Sequence, residues 1–239
     1  MIQRRRKIGV IVVWSLGIFV AIFSARYFLD PVPLLRPPDS VIEHYREGPM
    51  RDAALNVAPH ALENHREMFL LHVGCGVAAM VLGLFQFIAS LRKARPAVHR
   101  AMGMLYIGAI WVGSITALPL SFFILDAAAP SVRSQIVPIS WGFATLSIVW
   151  PAVTTMAYLR ARQRRFGDHR AWMIRSYSLT FAAVTVRLVS LPLLIVSGGD
   201  VFISVAGGIW SWPLNLVVAE WLIRRKRAPL AAPTPAPAV

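Results

Sequence analysis

The residues most able to do chemistry in this chain are basic and sit where hydrocarbon should surround them or where it ends: His72, His99, His169 and Arg187. Ionisable side chains in a lipid environment are costly, so they face a bundle interior, pair with polar groups or line a path for solute or protons. Two of the histidines open matching triplets, His99-Arg100-Ala101 and His169-Arg170-Ala171. Pro96 suits a first helical position and Asp168 an N-cap, so each histidine is expected in the first turn of a helix. There the helix dipole favours a neutral imidazole, which can ligate a metal. With Arg100 and Arg170 beside them to hold carboxylates, His99 and His169 fit a haem-b electron carrier. The bland alternative makes both triplets interfacial anchors for lipid headgroups.

Arg187 and His72 support a different reading, a transporter or binding protein for a small anionic or protonatable solute. Two potential cations cannot neutralise each other, so Arg187 needs Ser190, a backbone carbonyl, water or a bound anion. Arg175 and Glu220 fall at similar height near the ends of their helices and are expected to pair as a structural ion bridge. Gln86 completes the intramembrane polar set. No nucleophile motif, Gly-rich phosphate loop or HExxH is present, so the sequence assigns no catalysis. The single cysteine, Cys75, provides neither a disulfide framework nor a zinc cluster.

The elements that must position these residues are helices in a bilayer. Of 239 residues, 56% are hydrophobic, and the mean hydropathy is +0.58. That is too evenly apolar for a soluble domain of this size. The formal charge of +14 is gathered into short runs between apolar stretches, a pattern of membrane loops rather than of nucleic-acid binding. A spanning helix needs about 20 apolar residues. Six windows qualify, roughly 8–28, 67–90, 101–125, 137–158, 173–196 and 202–223. The first exceeds a signal-peptide core and lacks small residues at the cleavage positions, so it reads as an uncleaved anchor.

Basic runs fall before the first window, between the second and third, between the fourth and fifth, and after the sixth. Lys and Arg are retained on the cytoplasmic side, so the alternation predicts six spans with both termini cytoplasmic. The expected organisation is an anchor helix over 1–28, an extracytoplasmic loop over 29–66, a five-helix core over 67–223 and a disordered tail over 224–239. The loop's Val41–Asp52 segment could lie as a short helix on the membrane. The fold class is all-α, the partner is the lipid bilayer, and the place is a cell membrane.

At 100 degrees per residue, three spans gather polar and small residues on one face. The second aligns His65, His72, Gly76, Ala79, Gly83, Gln86 and Ser90. The third aligns His99, Gly103, Tyr106, Gly113 and Ala117, and the fifth His169, Ser176, Thr180, Ala183 and Arg187. Such stripes are packing seams by default, and here they are expected to meet. The first, fourth and sixth spans read as lipid-facing support, with Glu220 as the exception.

The segments Gly83-Leu84-Phe85-Gln86-Phe87, Pro96 with His99-Arg100, and Gly103-Met104-Leu105-Tyr106 resemble a bacterial predicted-membrane-protein family catalogued as domain of unknown function 2306. The stretch His169-Arg170-Ala171-Trp172-Met173-Ile174-Arg175-Ser176-Tyr177, continuing through Arg187-Leu188, is similar to that family's most distinctive segment. The resemblance runs roughly from residue 65 to 220. It implies a place in the family, without an activity, and singles out His72, His99, His169, Arg175 and Arg187.

Overall fold

A computed structural model describes residues 2–25, 28, 64–128, 130–197 and 201–227. The expected membrane-lying segment Val41–Asp52, His44, His60 and the Pro/Ala tail lie outside the described residues. Among the described residues every regular element is a helix: α1 (Ile2–Ala25), α2 (Arg66–Gln86), α3 (Ala89–Ala94), α4 (Pro96–Asp126), α5 (Arg133–Arg162), α6 (Phe166–Thr180), α7 (Ala182–Val196), α8 (Val201–Ile209) and α9 (Trp212–Arg227). The protein is all-α. α2, α4 and α5 are long and apolar enough to cross a membrane, and α6 with α7 makes a fourth crossing if the bent pair is one span. In lipid every backbone polar group must be satisfied internally, which is why long apolar segments close on themselves as helices.

Three expected spans are interrupted. The second ends at Gln86, because the Phe87 and Ile88 amides turn back to Leu84 and Phe85 and tighten the last turn. Phe87 fixes that turn with its ring edge-on to Tyr177, centroids 5.5 Å apart. Ser90 therefore leaves the stripe of α2 and sits in the short α3. The fifth expected span breaks between Thr180 and Ala182, with a bend of 40°. Asn215 of α9 splints the break: its Nδ2 donates to the Ser178 carbonyl at 3.1 Å, and its Oδ1 accepts from Thr185 Oγ1 at 3.0 Å. A side chain inserted beside the backbone ladder is a recognised cause of such bends. The sixth window divides into α8 and α9 at Trp210 and Ser211.

Helix starts also differ in detail. Pro96 takes the first position of α4 as expected. Asp168 is not the N-cap of α6; it lies in the first turn and pairs with Arg165, the residue at the cap position, at 2.7 Å. The turn before it holds Arg164 at φ 58°, while the Arg165 amide reaches back to the Arg160 carbonyl at 2.9 Å. That is a left-handed helix stop in which arginine occupies a place usually given to glycine.

The core lies where α2, α4, α5 and α6 meet, with Tyr106, Ile110 and Ala157 fully enclosed and Leu84, Leu179 and Val184 nearly so. Gly83 allows the closest approach: a Cβ there would stand 2.5 Å from the Tyr177 ring and 3.0 Å from that of Tyr106. Lipid offers no hydrophobic drive between helices, so dispersion contacts at small residues and bonds between polar groups carry the association. Large apolar side chains turn outward instead, Ile195 being 80% exposed and Leu214 and Val217 more than half exposed, as suits a surface that meets acyl chains.

Candidate functional site

The polar stripes of α4 and α6 meet in a row of hydroxyls. Tyr106 Oη lies 2.9 Å from both Ser176 Oγ and Thr180 Oγ1, and Ser176 Oγ lies 2.7 Å from Thr154 Oγ1 of α5. Thr154 also donates to the Trp150 carbonyl, and Trp150 Nε1 donates to Thr180 Oγ1 at 3.1 Å. Every member is buried, so each polar group inside the seam must find its partner there. Trp150 and Thr154 went unnoticed in the sequence because α5 reads as lipid-facing support. Of the three long apolar helices it is the most enclosed, a correction with a structural cause: Thr145, Ser147 and Thr154 return their protons to carbonyls of their own helix, as with Ser147 to Phe143.

Beyond Thr180 the packing opens into a cavity of about 480 Å³. Its apolar lining includes Met80, Leu120, Phe143, Trp150, Leu179 and Ile209. Its polar lining comprises Ser24, His72, Ser121, Ser147, Thr180 and Arg187. His72 and Arg187, assigned from sequence to one solute site, thus border one space. His72 Nδ1 donates to the Gly113 carbonyl at 2.8 Å. Since a carbonyl only accepts, this fixes the neutral ring's tautomer and leaves Nε2 as an acceptor. Arg187 donates through Nη1 to the Ala183 carbonyl at 2.6 Å and through Nη2 to Ser24 Oγ at 3.4 Å, with the Phe23 ring 5.9 Å from its guanidinium carbon. These two acceptors are neutral and neither is Ser190, whose hydroxyl has no hydrogen-bond partner among the described residues.

The remaining candidates lie apart from this space. Arg175 and Glu220 form the ion bridge between α6 and α9, Nη2 to Oε2 at 2.6 Å, with Arg175 over the Trp172 ring and Arg224 on the other carboxylate oxygen. Gln86 is buried against Gly103. His169 Nδ1 donates to the Ala157 carbonyl at 2.8 Å, and His99 Nδ1 is buried with no partner among the described residues. Arg100 and Arg170 are exposed. Neither His99 nor His169 lines the cavity, and the haem-b reading gains no support from the fold. Among the described residues no three His, Cys, Asp or Glu side chains gather to hold a metal ion.

The family described as "Predicted membrane protein (DUF2306)" matches residues 69–223, more than half of the chain. The chain belongs to that family. It is a multi-pass membrane protein, and the DUF2306 segment runs from the wall of the cavity in α2 to Ile223 in α9. The segment contains His72, Gln86, His99, His169, Arg175, Arg187 and Glu220. Ser24, which touches Arg187 from α1, stands outside it. No curated protein and no solved structure matches.

Proposed function

We propose that the protein binds an amphiphilic molecule inside its helical bundle, with an apolar body in the cavity and an anionic or hydrogen-bonding head at Arg187 and His72. One observation carries the reading: a cavity of about 480 Å³ with a predominantly apolar lining has an arginine and a tautomer-fixed histidine in its walls. A guanidinium away from bulk water attracts an anion strongly, and ligand sites typically combine a mostly apolar lining with a few placed polar groups. The Nε2 of His72 adds a proton acceptor, which suits a head that binds protonated or shares its proton. Whether such a molecule is carried across or held in place, the recognition chemistry is the same. The setting we infer is a bacterial cytoplasmic membrane, with six spans and both termini cytoplasmic, as the alternating basic loops indicate.

Decanoate and decanol, a carboxylate and an alcohol of equal chain length, test the head-group assignment by native mass spectrometry of the purified protein. Arg187→Gln is expected to weaken decanoate binding about tenfold and leave decanol unchanged, the loss of one charge-assisted contact. Equal decanoate binding by the variant and the parent would overturn the assignment.

A further inference from the structure

The corner where α2 hands over to α4 lies apart from the cavity and does not depend on its reading. α2 ends at Gln86, α3 intervenes, and α4 runs back beside α2 so that Gly103 faces the Gln86 carboxamide. A Cβ on Gly103 would stand 3.3 Å from Gln86 Oε1, so the bare glycine is what seats the amide. Gln86 is only 7% exposed, and its Nε2 has no hydrogen-bond partner among the described residues. His99 lies one turn before Gly103, on nearly the same face of α4. Its Nδ1 is also buried without a partner among the described residues.

Two orphaned polar atoms at one helix corner are unusual, because buried donors and acceptors in native proteins are nearly always satisfied. The charged groups acting on His99 are Arg92 of α3, Arg100 of α4 and His169 of α6. The carboxylates at this end of the bundle are engaged elsewhere, Asp168 with Arg165 and Glu220 with Arg175 and Arg224. α4 has no side-chain cap and no acidic residue in its first turn, so the amides of Ala97 and Val98 remain outside its internal ladder. The positive end of a 31-residue helix, two arginines, a buried amide donor and an imidazole whose Nδ1 has no partner among the described residues therefore share one corner.

We propose that this α2–α4 corner binds a phosphate-class anion, with Gln86 Nε2 and His99 contacting it at depth and Arg92 and Arg100 closing over it from the exposed side. A phospholipid headgroup and free phosphate offer the same oxygens, and the corner's place at an arginine-rich end of the bundle gives access to both.

The test uses the full chain in lipid nanodiscs. Native mass spectrometry compares retained phosphatidylglycerol with phosphatidylcholine, and thermal melts compare inorganic phosphate with chloride at equal ionic strength. The expected result is a preference for phosphatidylglycerol, a stabilisation by phosphate, or both. A preference alone identifies a lipid headgroup as the source, and stabilisation alone identifies free phosphate. Arg100→Gln should cut the effect about tenfold. Arg164→Gln, an exposed arginine in the α5–α6 turn, should leave it intact. Gln86→Leu keeps the packing volume and removes the donor, so it should lower anion retention while the melting temperature without anion holds or rises. No discrimination in either assay overturns the proposal. So does an equal loss in Arg164→Gln, which would reduce the effect to general charge attraction, and so does undiminished anion binding in Gln86→Leu.

Discussion

The hydroxyl seam and the cavity adjoin at Thr180, yet they treat polar groups in opposite ways. In the seam Tyr106, Ser176, Thr154 and Thr180 consume one another's hydrogen-bonding capacity and leave no room for anything else. In the cavity His72 and Arg187 are held by backbone carbonyls and a serine while open volume lies beside them. Polar residues at membrane depth therefore divide by whether space accompanies them: closed sets glue helices together, and sets beside a void leave room for the ligand proposed above.

Substitutions can break that contrast. Gly83→Val should have the largest effect, because the added carbons overlap two aromatic rings at the centre of the seam. Such overpacking costs about 1–3 kcal/mol or more, read as a lowered melting temperature in detergent and reduced membrane abundance. Normal abundance and melting would show that the seam yields easily. Arg187→Gln should come next, with about tenfold weaker carboxylate binding and a nearly unchanged melting temperature, the reverse signature. If instead it melts early and binds normally, the cavity residue is glue as well. Tyr106→Phe removes one hydroxyl from the seam and should cost about 1 kcal/mol in stability with decanoate affinity intact. Glu220→Gln stands outside both regions and weakens a part-exposed ion bridge, so a stability loss below about 1 kcal/mol is expected. A larger loss would mean that α6 and α9 depend on that bridge more than its exposure suggests.

Helical periodicity exposed much of this arrangement in advance. It put His72, Gln86, Tyr106, Ser176, Thr180 and Arg187 on inward faces, because a residue's face follows from the 3.6 repeat alone. It could not show which inward faces enclose space, since spacing along one helix says nothing about the gap to the next. His72 and Arg187 share a cavity, whereas Gln86, assigned to the same polar set, sits at a different corner. The break after Thr180 was illegible for another reason. The sequence there has neither proline nor glycine, and the bend is splinted by Asn215, thirty-odd residues downstream. Trp150 and Thr154 were missed because an indole and a threonine among apolar residues look alike on a lipid-facing and a buried helix. Only the neighbouring Ser176 and Thr180 distinguish the two.

The length of α4 sets a vertical scale for the molecule. At 1.5 Å per residue its 31 residues rise about 46 Å, against a hydrocarbon layer of about 30 Å. Roughly ten residues must therefore stand clear of the acyl chains or be absorbed by tilt. Asp126 bounds the helix at one end and Arg100 lies one turn inside the other, so the overhang at the arginine end reaches the headgroup layer with His99 beside it. Changes in bilayer thickness would thus slide that corner in and out of the phosphate plane while leaving Tyr106, two turns deeper, in oil.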